Sequence, residues 1–96
     1  MAYKIIISPE AEKEIDIAFE YYVEFSKSAG KSFNRQLSDS YKKLKLNPFF
    51  ERRYLTVRVL PFPKYPYIIL FRIDEIKKKV FVLSVFCTHQ DPEKYP

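Results

Sequence analysis

The reading of the fold turns on Tyr65-Pro66-Tyr67-Ile68-Ile69-Leu70-Phe71-Arg72-Ile73-Asp74 and, a short turn later, Val80-Phe81-Val82-Leu83-Ser84-Val85-Phe86. Both runs are dense in β-branched and aromatic residues and are bounded by polar turn residues, the composition of strands. Both are apolar on successive residues rather than alternate ones, so both belong in the middle of a sheet, covered on two faces. The turn between them, Asp74-Glu75-Ile76-Lys77-Lys78-Lys79, reads as a solvated hairpin tip. After the second strand comes Cys87-Thr88-His89-Gln90-Asp91-Pro92-Glu93-Lys94-Tyr95, which holds the only cysteine and the only histidine of the chain. A chemical site is sought first where this strand ends.

Upstream of the pair, Glu51 to Leu60 reads as one further strand, with Arg53, Leu55, Val57 and Val59 alternating against Tyr54, Thr56 and Arg58. Pro61-Phe62-Pro63-Lys64 ends it. Before that the period changes. Ala11, Ile15, Ala18, Tyr22 and Phe25 recur at spacings of four and three, a helical stripe that Phe19 and Val23 widen. Ser8 is placed as the N-cap of this helix, with Pro9 at its first position and Glu10 in its first turn. The helix is expected from Pro9 to about Ser26. Ser26-Lys27-Ser28-Ala29-Gly30 contains the only glycine and is read as a tight turn or a helix cap. A second helix follows, from about Ala29 or Lys31 to Leu46, with Phe33, Leu37, Tyr41 and Leu44 as its stripe. Asn47-Pro48 stops it. Tyr3 to Ile7 is a short opening strand.

The order is strand, helix, helix, strand, strand, strand. It predicts an α+β domain, an N-terminal strand and a helical hairpin packed on a small antiparallel sheet. At 96 residues the chain makes one domain, 1–96. The expected core includes Ile15, Tyr22, Phe33, Leu37, Leu44, Ile69, Phe71, Val82 and Val85.

Charge is unevenly spread. The net charge is +5 and the pI is near 9.3. From Glu10 to Lys27 there are six acids and two bases, whereas from Lys31 to Lys64 there are nine bases and two acids. A basic side of this kind accommodates an acidic partner, nucleic acid or protein. Neighbouring helices exchanging surface salt bridges give the same counts.

Several chemistries are absent. A single glycine makes no phosphate-binding loop, and one Cys with one His closes no zinc site, so no cofactor or metal is implied. The lone cysteine fits a reducing compartment. No run approaches the roughly 18 apolar residues of a membrane span, and Met1 to Ile7 is too short for a signal peptide. A cytoplasmic location is expected. Cys87 and His89, two apart on extended chain, make either a thiol–imidazole pair or a buried thiol beside an exposed imidazole. Arg53, Arg58 and Arg72 on strands, with His89 beyond the last, form the cationic set from which phosphate contacts are built. Tyr54, Tyr65 and Tyr67 offer rings for stacking on bases, unless they belong to the core.

These pieces together resemble toxins of the RelE/ParE superfamily, the plasmid-stabilisation type of bacterial toxin–antitoxin module. Ile5-Ile6-Ile7-Ser8-Pro9-Glu10-Ala11-Glu12 is similar to the family's opening strand and helix start. Tyr21-Tyr22 matches its aromatic pair, and Phe33 to Leu44 with Asn47-Pro48 its second helix and stop. Phe62-Pro63-Lys64-Tyr65-Pro66-Tyr67-Ile68-Ile69-Leu70-Phe71 is similar to its strand motif, and Val85 to Tyr95 to its closing segment. The resemblance implies a cognate antitoxin as partner. It also implies one of two targets: DNA gyrase for ParE-like members, or ribosome-bound messenger RNA, cut by RelE-like members. If the chain is such an endoribonuclease, Arg53, Arg58, Arg72, His89 and Tyr95 are its candidate catalytic residues. The chain departs from the ribonuclease pattern: Ile68 stands where an Arg is common, Cys87 where the family has His, and Gln90 where it has Arg. The expectation is therefore a ParE-like gyrase-binding inhibitor. The alternatives are a RelE-like ribonuclease and a degenerate, non-toxic antitoxin-binding member. Lys42, Lys43 and Arg52, on the basic side, are the candidate antitoxin contacts.

Overall fold

The computed structural model describes residues 2–88. In chain order they form β1 (Lys4–Ile7), α1 (Pro9–Phe25), α2 (Lys27–Leu46), β2 (Arg52–Tyr54), β3 (Val57–Pro61), β4 (Tyr67–Asp74) and β5 (Lys79–Cys87). The strands make a single sheet in the order β1-β5-β4-β3-β2. β2 to β5 pair antiparallel with their neighbours, while β1 lies parallel to β5, Ile5 opposite Val80 and Ile7 opposite Val82. The sheet is thus mixed. β4 and β5 hold the interior positions that their two-sided apolar composition requires.

Local signals set the helix ends. Ser8 has extended backbone and accepts at its Oγ from the Ala11 N–H, 3.1 Å away, with Pro9 behind it. Ser26 ends α1 and starts α2. Its N–H donates to the Tyr22 carbonyl, and its Oγ accepts from the Ala29 N–H at 3.1 Å. One extended residue therefore reverses the chain, and α2 begins at Lys27, earlier than the Ala29 or Lys31 expected. Gly30 is correspondingly not a turn residue. It is buried within α2, and a Cβ there would overlap Val23 Cγ2 and stand 3.4 Å from Phe19 Cε1. The glycine serves the close approach of two helices, not a left-handed turn.

The strand expected over Glu51 to Leu60 is a hairpin instead. Arg52 pairs with Arg58 and Tyr54 with Val57, and the chain reverses at Leu55-Thr56 with Leu55 at φ 46°. A left-handed leucine is costly, and no Gly, Asn or Asp marks the turn.

The helices cover one face of the sheet. Phe33, Leu44, Ile69, Phe71, Val80, Val82 and Val85 are buried there, with Leu37 and Leu60; Ile15 and Tyr22 pack at the margin. Phe33 sits at the centre of the aromatic packing. Its ring stacks on Tyr22 and Phe62, each at 5.4 Å between centroids, and meets Tyr65 and Tyr67 edge-on at 5.7 and 5.6 Å. The second face carries a smaller apolar cluster of Val57, Ile68, Leu70 and Phe86, flanked by Val59 and Leu83.

β1 is shorter than β5 and leaves the far half of β5 with an uncovered edge. Side chains close it. Ser8 Oγ donates to the Leu83 carbonyl at 3.0 Å. The Glu14 carboxylate accepts from Ser84 Oγ at 2.9 and 3.1 Å and from the Val85 N–H at 3.3 Å. A bulge in β5 between the pairs Leu70–Ser84 and Phe71–Val82 accompanies this local bend.

Candidate functional site

Sheet parity decides where the cations go, because partners across a ladder share a face and neighbours along a strand do not. Arg58 is opposite Phe71, a residue of the helix-side core. Arg58 therefore lies on the helix side. Its Nη1 donates to the Phe50 carbonyl at 2.8 Å, and its guanidinium stands 5.3 Å over the Phe49 ring. Arg72 follows Phe71 and pairs with Phe81, so it lies on the opposite face, exposed. These two arginines are separated by the sheet. Arg53 is exposed on the edge strand β2. His89 and Tyr95 lie outside the described residues, as does Gln90.

The face opposite the helices is apolar where phosphate chemistry would need charge. Ile68, at the position where an Arg is common, is 8% exposed and packs with Leu70 and Phe86. The tyrosines divide. Tyr54 is exposed on β2. Tyr65 and Tyr67 belong to the aromatic cluster on the helix side, and the Tyr65 hydroxyl donates to the Ala29 carbonyl at 3.2 Å. Burial, then Cys87 beside it, push the Tyr67 hydroxyl well above its ordinary range. Cys87 ends β5 partly buried, against the Tyr67 hydroxyl.

Two surfaces emerge, the first of which residue types alone did not reveal. On α1, Ile17, Tyr21 and Phe25 follow at four-residue spacing and are 69%, 54% and 72% exposed. With Tyr65, Tyr67, Cys87 and Lys64 they line a groove of about 560 Å³ between α1 and the end of β5. Large apolar side chains left in water as a contiguous strip mark a protein contact. The second surface is basic. The tip of the β4–β5 hairpin, the start of β1 and the end of α2 meet, since the Lys4 N–H donates to the Lys78 carbonyl and the Tyr3 N–H to the Lys45 carbonyl, both at 2.9 Å. Lys78 Nζ lies 5.1 Å over the Tyr3 ring, whose neighbour at 6.2 Å is Phe49, itself under Arg58. Lys42 and Lys43 are exposed near this end of α2, and Arg52 is exposed at the start of β2.

No group of three or more His, Cys, Asp or Glu suited to a metal occurs among the described residues. Among them, too, no helix is long and apolar enough to cross a membrane.

A helical hairpin on a five-stranded mixed sheet, apolar on both faces, with a short first strand alongside the last, is the architecture of the RelE/ParE superfamily of small toxins. Residues 5–92 match the family described as the ParE toxin of the type II toxin–antitoxin system parDE, and the chain belongs to that family. Solved structures share the fold at low identity. The chromosomal ParDE toxin–antitoxin system from P. aeruginosa contains a chain with 19% identity and a TM-score of 0.74, over 92% of this chain and 98% of that one. The toxin–antitoxin complex RelBE2 from Mycobacterium tuberculosis gives 14% identity and 0.59, over 88% and 96%. A mutant of the E. coli toxin RelE in the free state gives 18% and 0.62, over 93% and 86%. No curated protein sequence matches the chain.

Proposed function

We propose that this toxin is ParE-like in action: it inhibits DNA gyrase by binding it, and a cognate antitoxin neutralises it. The observation that carries this reading is the split of the cations. Cleaving RNA needs a base, a charge stabiliser and an acid around one phosphate. Arg58 and Arg72 lie on opposite faces of the sheet, and Arg58 is held to the loop after α2. The apolar strip of Ile17, Tyr21 and Phe25 supports a protein target over a nucleic acid one. The test is direct. Purified protein is expected to inhibit gyrase supercoiling and to leave ribosome-bound messenger RNA intact. Ribosome-dependent cleavage that His89→Ala abolishes would replace this reading with the ribonuclease one.

The antitoxin is expected to approach the basic side, with Lys42, Lys43 and Arg52 in its path. Charges of this exposure steer encounter more than they hold the complex. The association rate should fall with salt, and reversing Lys42 and Lys43 to Glu should slow it by roughly tenfold at low salt. Dissociation should change much less. Stopped-flow binding to the antitoxin at low and high salt checks this. A rate indifferent to both salt and the reversals would remove the steering role.

A further inference from the structure

At the Lys79 end of β5 three segments are tied backbone to backbone. The Lys4 N–H bonds the Lys78 carbonyl, the Tyr3 N–H bonds the Lys45 carbonyl, and Lys4 stands opposite Lys79 in the sheet. Lys4, Lys45, Lys78 and Lys79 thus converge from separate stretches of sequence onto one corner. Two rings stiffen it. Lys78 Nζ rests 5.1 Å over the buried Tyr3 ring, Phe49 meets Tyr3 edge-on at 6.2 Å, and the Arg58 guanidinium lies 5.3 Å over Phe49. A cation held over a ring keeps its charge but gives up side-chain freedom, so less entropy is left to lose on binding.

These charges are not cancelled within the fold. Among the described residues none of Lys4, Lys45, Lys78, Lys79 and Arg58 forms an ion pair. Asp74 is the register partner of Lys79, but its carboxylate accepts from the Lys77 N–H at 3.0 Å, inside the hairpin turn. Glu75 is exposed on the same turn and is outnumbered by Lys77, Lys78 and Lys79. The negative end of the α2 dipole, which would repel an anion, is also quieted: the Lys43 carbonyl accepts from the Asn47 N–H and the Lys45 carbonyl from the Tyr3 N–H. Lysine is depleted from the cores of protein contacts, whereas Lys and Arg supply the phosphate contacts of nucleic-acid binders. The apolar strip lies elsewhere. Cys87, at the far end of β5, lines the groove with Ile17, Tyr21 and Phe25. At about 3.3 Å per residue, β5 sets the two surfaces roughly 26 Å apart. A protein that holds a DNA duplex offers both kinds of partner at once.

We infer that the corner formed by Lys4, Lys45, Lys78 and Lys79, with Arg58 beside it, grips the phosphate backbone of duplex DNA. The choice of duplex DNA rests on the gyrase reading above and deepens it: the toxin holds the enzyme by the apolar strip and the enzyme's DNA by the lysines.

Fluorescence anisotropy of a short labelled duplex of mixed sequence, titrated with the purified toxin over a range of salt, tests the assignment. The logarithm of the binding constant should fall against the logarithm of salt with a slope of about −3 to −4.5, the release expected for roughly four or five neutralised phosphates. Replacing Lys4→Gln, Lys45→Gln and Lys78→Gln together should weaken binding at low salt by at least about tenfold and flatten the slope to about −1 to −2. The matched control Lys27→Gln, Lys31→Gln and Arg35→Gln removes the same charge from the first half of α2 and should change binding by less than about twofold. All the replaced residues are exposed, and circular dichroism melts check that both variants fold. Gyrase should bind the toxin more tightly with DNA present than without, and the lysine variant should lose that gain. Equal weakening in the two variants would mean that net charge alone attracts DNA, which overturns the corner. Gyrase inhibition with no duplex binding overturns the inference and leaves the gyrase reading standing. Duplex binding at the corner with gyrase unaffected supports the DNA grip and overturns the gyrase reading. Single-stranded RNA or polyglutamate bound more tightly than the duplex at equal salt gives the corner to another class of partner and overturns the inference.

Discussion

Phe33→Ala is expected to lower the stability of the free toxin by about 3–5 kcal/mol. Phe33 is fully buried, and four aromatic rings surround it: Tyr22 from α1, and Phe62, Tyr65 and Tyr67 from the chain leading into β4. Truncation removes the transfer energy of a whole ring and leaves a cavity. Stacked rings on both sides are too stiff to collapse into it. Contacts of the kind Phe33 makes add about 0.5–1.5 kcal/mol per pair beyond area burial, so the upper half of the range is favoured. For a domain this small the change takes away a large share of the total stability. Urea unfolding monitored by tyrosine fluorescence and circular dichroism measures it. A loss below about 1 kcal/mol would mean that the aromatic cluster is not the centre of the fold.

Gly30→Ala is the second large effect, and here the sign is the content of the prediction. In an exposed helix interior, alanine for glycine gains about 1 kcal/mol. At Gly30 the new methyl overlaps Val23 Cγ2 on the facing helix and meets Phe19. Valine has few rotamers to escape into. Overpacking of this sort costs about 1–3 kcal/mol, which exceeds the propensity gain and leaves a net loss. The companion variant Val23→Ala removes the obstructing methyl. In that background Gly30→Ala should turn neutral or stabilising. A thermal-melt double-mutant cycle reads the coupling. Gly30→Ala stabilising on its own would show that the helices have room to part.

The elements whose legibility was highest are those where local and tertiary signals agree. Ser8-Pro9 caps α1 as its residue types demand, and the stripe through Phe33, Leu37 and Leu44 is the buried face of α2. β4 and β5 declared themselves interior strands by being apolar on both faces. Three features were hidden for definite reasons. The turn at Leu55-Thr56 uses a left-handed leucine, so no turn residue announces it, and its alternating flanks read as one strand. Gly30 stood out as the lone glycine and suggested a turn, but its conformation is helical and its role depends on Val23, which only the packed hairpin brings near. The facing of the arginines was the costliest ambiguity. On strands apolar on both sides, parity cannot be anchored to solvent, so Arg58 and Arg72 looked equally placed for one cleft. Only the register, with Arg58 opposite Phe71, separates them.

The pairing of β1 with β5 joins residues 75 positions apart in sequence, Lys4 with Lys79 and Ile7 with Val82. The helical hairpin needs only its own 38 residues, Pro9 to Leu46, and a one-residue reversal, so it can form while the rest is still being made. β1 must wait. At about 5–20 residues per second, the segment between the two strands takes several seconds or more to synthesise. During that time the first strand has no sheet to join. Assembly of the toxin is therefore timed by the arrival of β5. A nascent chain halted before Val80 should show protected helix amides and no protection at Ile6. The sheet thus gains its outer strand only once β5 has been made, long after both helices are complete.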